Sequence, residues 1–247
     1  MKRQLMLVFT LILFSICSST LLAQTKSREQ LLDEIAARRN ELQGLEQQFL
    51  AVSESDKAAY ADLLVEPDTG IFRLLPREKF DSETYKKNEK TITMRGGGAY
   101  YSFAKKAHDP ATGPDILLDH DQLSVGFSGL DYGMLAKIDG VSLRELSAEH
   151  PYVASLIKYE PPSNEPAIRN EQRRFAMGTV IDDLSLKHSV PVELNTTYVL
   201  RSISYSRTDI LVGLRVVRRD TDGSLIIAWK LLKNFTTPEV ARSTAAQ

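Results

Sequence analysis

The sequence predicts an α+β protein: one long N-terminal amphipathic helix, followed by a mostly antiparallel β-sheet domain. Residues 24–64 are rich in good helix formers and contain no proline and a single glycine. From residue 65 onward, short β-branched and aromatic runs alternate with turn residues. We expect the β domain, residues 65–238, to be sandwich-like or a partly open barrel. It should carry short helical insertions and end in a three-stranded meander.

Composition excludes some classes of partner. The chain has 247 residues, of which 43% are hydrophobic and 26% charged, as in ordinary globular proteins. Its 31 basic and 32 acidic residues leave a net charge of -1. Because no strongly basic field results, we predict no nucleic-acid partner.

The first residues predict export. Lys2 and Arg3 precede the apolar run Leu5–Ile16, and small residues follow it. This arrangement is typical of a secretory signal, and we place its cleavage after Ala23. We therefore expect residues 1–23 to be a signal peptide and the mature protein to be periplasmic or secreted.

The alternative is an uncleaved N-terminal anchor in the inner membrane. Residues 5–23 are nearly as long as the ~20 residues that span a bilayer. Contact with a membrane is expected only in that case. A lipoprotein is disfavoured because bulky Ile16 precedes Cys17, the single cysteine of the chain. Cleavage would leave a cysteine-free protein without disulfides or a thiol nucleophile, which favours a bacterial envelope.

A heptad pattern runs along the predicted helix of residues 24–64. Arg38 interrupts it at a d position, so the coiled-coil signal is short. The residues of this candidate seam are Leu31, Ile35, Leu42, Leu45, Phe49 and Val52. The helix either packs on its own domain or forms a seam for self-association or a protein partner.

The β domain is predicted from short strand-type runs and from the turn residues that separate them. Helical insertions are expected near Ser142 and Glu145, which have capping-box spacing, and over residues 167–177, where Gly178 follows as a stop. Residues 239–247 are expected to be a loose tail. Strands are expected at residues 70–76, 90–94, 99–104, 115–119, 122–127, 197–206, 209–219 and 224–232.

The last three strands predict the meander in register. A two-residue turn at Arg207–Thr208 pairs Ser206 with Asp209 and sets Arg201 opposite Leu214. With a tight turn before the last strand, Trp229 joins the same apolar face. Arg201 is then the one charge within that face. It either lies at the rim and pairs with an acid, or lines a pocket and receives an anionic group.

Three consecutive glycines, Gly96, Gly97 and Gly98, lie between two β-type runs. They are not a phosphate loop, because no Lys-Ser/Thr and no helix follow them. We expect a bend between hairpin arms, Thr91–Arg95 and Ala99–Phe103. The alternative is a pliable rim that presents Tyr100 and Tyr101 as a flat contact surface.

The remaining motifs favour turns over catalysis. Asp119–Gln122 contains a histidine between acids, but it separates two strands, where a hairpin turn needs such residues. Gly126–Leu130 lacks the second glycine of a nucleophile elbow. Asp220–Gly223 lacks the flanking ligands of a calcium loop. We therefore predict no catalytic residue, no cofactor and no metal site.

The favoured hypothesis is an exported, non-catalytic envelope protein that binds or scaffolds a partner. One alternative is an exported hydrolase whose Asp, His and Ser residues meet only in the fold. The other is the same binding module tethered by an uncleaved N-terminal segment.

Overall fold

The computed structural model describes residues 26–80, 95–108, 113–127 and 129–241. The predicted signal peptide and the first arm of the glycine hairpin, Thr91–Met94, lie outside the described residues. The chain divides into two compact units, residues 1–48 and residues 49–247.

The single helix predicted over residues 24–64 is wrong in its extent. The structure has helix α1 (Arg28–Phe49), followed by two short helices, α2 (Glu54–Ala59) and α3 (Ala61–Leu64). The break has a local cause, because Ser53 has extended backbone and its hydroxyl accepts a hydrogen bond from Asp56 N–H. An N-cap of this kind starts a new helix.

The β domain contains eleven strands among its described residues. They are β1 (Thr69–Leu74), β2 (Tyr100–Tyr101), β3 (Ile116–Asp119), β4 (Gln122–Ser124), β5 (Tyr132–Ile138), β6 (Thr179–Ile181), β7 (Leu184–Leu186), β8 (Ser189–Pro191), β9 (Thr197–Ser204), β10 (Thr208–Arg219) and β11 (Leu225–Asn234). All pairings between them are antiparallel. One sheet has the order β1-β11-β10-β9-β5, a second has the order β2-β3-β4-β8, and β6 and β7 form a hairpin.

Short helices are inserted between the strands. They are α4 (Arg77–Phe80), a 3-10 helix (Arg95–Gly98), α5 (Pro151–Lys158) and α6 (Glu165–Met177). The second predicted insertion is confirmed, since Asn164 caps the start of α6 and Gly178 follows its end with φ of 86°. Ser142 and Glu145 form the reciprocal bonds of a capping box, but a turn rather than a helix follows them.

Both faces of the five-stranded sheet are covered, so the domain has three layers. On one face Leu214 and Trp229 pack with Leu118 and Leu123 of the smaller sheet. On the other face Leu211 packs with residues of α5, α6 and the β6–β7 hairpin. The sandwich-like prediction is confirmed, and neither sheet closes into a barrel. Burial on both sides explains why every residue of β9 is buried.

The meander exists, but the predicted pairing of its first hairpin is wrong. Arg201 faces Leu211 rather than Leu214, an odd shift that turns β9 over. The cause is a longer connection, in which Ser206 has φ of 60° and Arg207 N–H bonds to Ser204 O. The relative facing of β10 and β11 is as predicted, but the pairing is displaced by two residues from the tight-turn register, because Leu214 rather than Val216 lies opposite Trp229.

The C-terminal segment is held as far as it is described. Ser206 N–H bonds to Pro238 O, the Ser206 hydroxyl bonds to Glu239, and Ala241 N–H bonds to Ser163 O. The tail predicted to be loose from residue 239 is therefore docked through residue 241. Residues 242–247 lie outside the description.

No described helix combines the length and apolar character needed to cross a bilayer.

Candidate functional site

Half of the ten exposed large hydrophobic residues in the described part of the chain lie on α1. This helix has no buried residue. Four of the predicted seam residues share the exposed face, and their exposed fractions are 46% for Leu31, 47% for Ile35, 53% for Leu42 and 57% for Leu45. Leu32, beside them, is 58% exposed. We call these five residues the aliphatic face.

The last two predicted seam residues are placed differently. Phe49 is half-buried and its ring lies 5.9 Å from that of Phe80. Val52 lies after the end of α1 and is buried. Both contribute to the packing of the second unit, so the exposed residues of the candidate seam are those within residues 31–45.

The glycine run is a turn that docks on β1. Gly96 and Gly98 have φ of 68° and 67°, and Arg95–Gly98 form a 3-10 helix. Gly98 O accepts a hydrogen bond from Leu75 N–H at 3.1 Å. Gly98 therefore supports the backbone at the end of β1 through this bond.

The two tyrosines after the glycines do not form an exposed contact surface. Tyr101 is 5% exposed, and its ring stacks on Phe72 with centroids 3.7 Å apart. Burial raises the pKa of Tyr101 to about 12. Tyr100 is half-buried, with its ring edge against Phe127. The flat rim proposed for this pair is therefore not formed.

Arg201 is buried on the helix-covered face, opposite to the face predicted for it. Its guanidinium forms a two-point ion pair with Asp209 and donates to the carbonyls of Leu156 and Tyr159. The anionic group that Arg201 receives is thus a carboxylate of its own chain.

The predicted turn at Asp119–Gln122 is confirmed, since His120 and Asp121 connect β3 and β4 with positive φ. Glu78, Asp119 and His120 place ligand-type atoms within 4.8 Å of one another. Their contacts are internal: Glu78 accepts the His120 backbone N–H at 3.0 Å, and His120 Nδ1 lies 3.0 Å from Asp119. We interpret these three residues as a turn that is held by its own internal contacts.

A cleft of about 350 Å³ opens at one end of the central sheet. Its floor includes Ile138, Thr197 and Arg215, which pair side by side on three adjacent strands. Asp139 and Glu145 line it from the loop that follows β5. The sequence prediction placed Arg215 on a strand but did not single it out. A cation within the apolar run "DILVGLRVV" was the available signal.

Comparisons of the chain with protein-family models, with curated proteins and with solved structures found no match.

Proposed function

We propose that the protein is an exported, non-catalytic scaffolding module that associates with a second copy of itself through α1. The observation that carries this proposal is the aliphatic face, five large side chains 46–58% exposed on a helix without a buried residue. The β domain is the folded body that this association would bring together in pairs.

Packing against a second helix would stabilise α1. Helices in water are stabilised mainly by packing an apolar face, because propensity alone leaves them marginal. Fully burying one Leu or Ile side chain is worth roughly 1.5–3 kcal/mol. Partial burial of the aliphatic face on both copies would give a modest dimer affinity, so the fraction of dimer would depend on protein concentration.

Arg38 favours an antiparallel pair. In a parallel pair, d positions face each other, so Arg38 would meet Arg38 of the second copy. In an antiparallel pair, a and d positions face each other. One register sets Ile35 opposite Leu45, and Arg38 opposite Leu42. Glu41, which binds Arg38 at 2.8 Å within one helix, then flanks that layer on the second copy.

Sedimentation of the mature protein over a wide concentration range tests self-association. We expect the mass to rise from monomer to dimer, and Leu45→Asp to hold it at monomer because a carboxylate would then lie opposite Ile35 of the second copy. Asn40→Asp, which adds the same charge at a heptad f position on the far side of the helix, is the matched control. Circular dichroism should show an intact β domain in each variant.

Cross-linking tests the orientation in a Cys17→Ser background. A mixture of Ile35→Cys and Leu45→Cys chains should form a mixed disulfide if the helices are antiparallel, since bonding needs Cα atoms within roughly 7 Å. Leu42→Cys alone should cross-link if they are parallel. A monomer at every concentration, with no cross-link from either experiment, would overturn self-association.

Export is tested separately. N-terminal sequencing of the native protein should begin at or near Gln24, and the protein should fractionate outside the cytoplasm. A chain that begins at Met1 in the inner membrane would support the tethered alternative, and a cytoplasmic chain would remove export from the proposal.

A further inference from the structure

The cleft at the end of the central sheet has an unusual charge arrangement. Arg215 is half-buried at its floor, and its guanidinium makes one hydrogen bond to a described residue, from Nη1 to Thr197 Oγ1 at 3.1 Å. Among the described residues it has no carboxylate partner. Four of the five N–H groups of a guanidinium thus remain for water or a ligand.

The guanidinium of Arg215 is held in place by a buried hydrogen-bond partner. Thr197, which accepts its hydrogen bond, is 1% exposed. The loop after β5 approaches the sheet over Gly213, where an added Cβ would come within 2.7 Å of Leu146 and 3.2 Å of Leu143. The absence of a side chain at Gly213 therefore lets this loop form a wall of the cleft.

The mouth of the cleft carries the opposite charge. Glu145 is exposed, and its carboxylate accepts Ser142 N–H at 2.9 Å while Ser142 Oγ accepts Glu145 N–H at 3.3 Å. These bonds to Ser142 fix the carboxylate and hold the pKa of Glu145 below its usual value. Asp139, also at the mouth, is 83% exposed and paired with Lys137 at 3.1 Å.

We propose that this cleft binds a small zwitterion, with the carboxylate of the ligand on Arg215 and its ammonium group against Glu145. A guanidinium matches a carboxylate in two-point geometry. An ionised carboxylate at the mouth disfavours a simple anion but attracts a cationic end. The volume of about 350 Å³ lies near the lower limit of small-molecule sites, roughly 300–1,000 Å³.

The test is calorimetric titration of the full mature protein with four probes. L-alanine and alanyl-alanine carry both charges, acetate carries only the carboxylate, and methylammonium carries only the cation. We expect at least one zwitterion to bind more tightly than either single-charge probe. Because the two zwitterions differ in the distance between their charges, the one that binds more tightly indicates the spacing that Arg215 and Glu145 accept.

Variants assign the two ends. Arg215→Gln should weaken zwitterion binding by about tenfold or more, the usual effect of losing a charge-assisted hydrogen bond. Glu145→Gln should weaken zwitterion binding but not acetate binding. Arg219→Gln, on the same strand but paired with Asp121 outside the cleft, is the matched control.

Two outcomes would overturn the proposal. One is the absence of binding by either zwitterion to protein that is folded by circular dichroism. The other is acetate binding as tight as zwitterion binding together with no effect of Glu145→Gln, which would make the cleft a plain anion site. Self-association through α1 is measured independently, so either proposal can fail without the other.

Discussion

Arg201 and Asp209 form a two-point ion pair inside the protein, with Nε–Oδ1 at 2.9 Å and Nη2–Oδ2 at 2.8 Å. Their side chains are 1% and 2% exposed. Arg201 Nη1 also donates to the carbonyls of Leu156 and Tyr159, at 2.6 and 2.7 Å. The pair thus joins two neighbouring strands to the end of α5.

Breaking this pair should be costly. Either Arg201→Met or Asp209→Asn should lower the free energy of unfolding by about 3–5 kcal/mol, because the remaining partner stays buried and uncompensated. The double variant Arg201→Met/Asp209→Asn should lose less than the sum of the two single losses. Urea denaturation at neutral pH measures all of them. Additive losses would show that the two side chains are not coupled.

The three-layer arrangement predicts that truncating a buried side chain lowers stability by a similar amount on either face of β10. Leu211 and Leu214 are fully buried on opposite faces of the strand. Leu211→Ala and Leu214→Ala should each cost about 2–5 kcal/mol, from lost burial and the cavity left behind. Val180→Ala, at a residue 65% exposed, is the control and should change stability by ~0.5 kcal/mol or less. A small loss at only one leucine would mean that one face is open.

Two glycine-to-alanine changes should have opposite effects. An added Cβ at Gly44 meets nothing within 4 Å, so Gly44→Ala should stabilise α1 by about 0.5–1 kcal/mol and raise its helicity. A Cβ at Gly133 would overlap the carbonyl oxygen of Arg201 and the side chain of Val125. Gly133→Ala should therefore lower the melting temperature. Circular dichroism follows both, and a tolerated Gly133→Ala would contradict the β5–β9 pairing.

Asp115 predicts a pH dependence. It is fully buried, Phe103 N–H bonds to Oδ2 at 2.8 Å, and Oδ1 makes no hydrogen bond to a described residue. Burial raises the pKa of Asp115, with hydrogen bonds partly opposing it. Its stabilising contribution is therefore complete below the unfolded pKa of about 3.9 and is lost as pH rises through the higher folded pKa.

Asp115→Asn removes this titration while keeping an oxygen for Phe103 N–H. The stability of the variant relative to the native protein should increase from pH 4 toward pH 7, as measured by urea denaturation at a series of pH values. A difference that stays constant with pH would mean that the carboxyl has the same pKa in both states.

The sequence predicted what local chemistry determines. Helix α6 was recognisable because a proline near its start and Gly178 at its end mark it clearly. The burial of Trp229 followed from alternation along β11, and its exposed fraction is 2%. The turn after β3 was recognisable because Asp119–Gln122 supplies residues that turns favour.

Other features depend on tertiary contacts that the alternation of apolar and polar residues in the sequence does not reveal. The face predicted for Arg201 was wrong because Ser206 adopts a positive φ. The sequence has no glycine at this position to indicate such a turn. Strands β6–β8 were not predicted, since each has three residues and pairing, rather than pattern, defines them. The Arg215 cleft was missed because it depends on the β9–β10 register and on a loop from another part of the chain.

The pairing of β1 with β11 has a consequence for how the protein folds. Thr69 lies opposite Lys230, so an edge of the central sheet joins the two ends of the β domain. Such long-range pairing slows folding, because distant segments must meet before their contacts stabilise anything. A chain emerging in N-to-C order cannot complete its central sheet until β11 has appeared. We expect the central sheet of the nascent protein to stay incomplete until late in synthesis, which would suit the export proposed above.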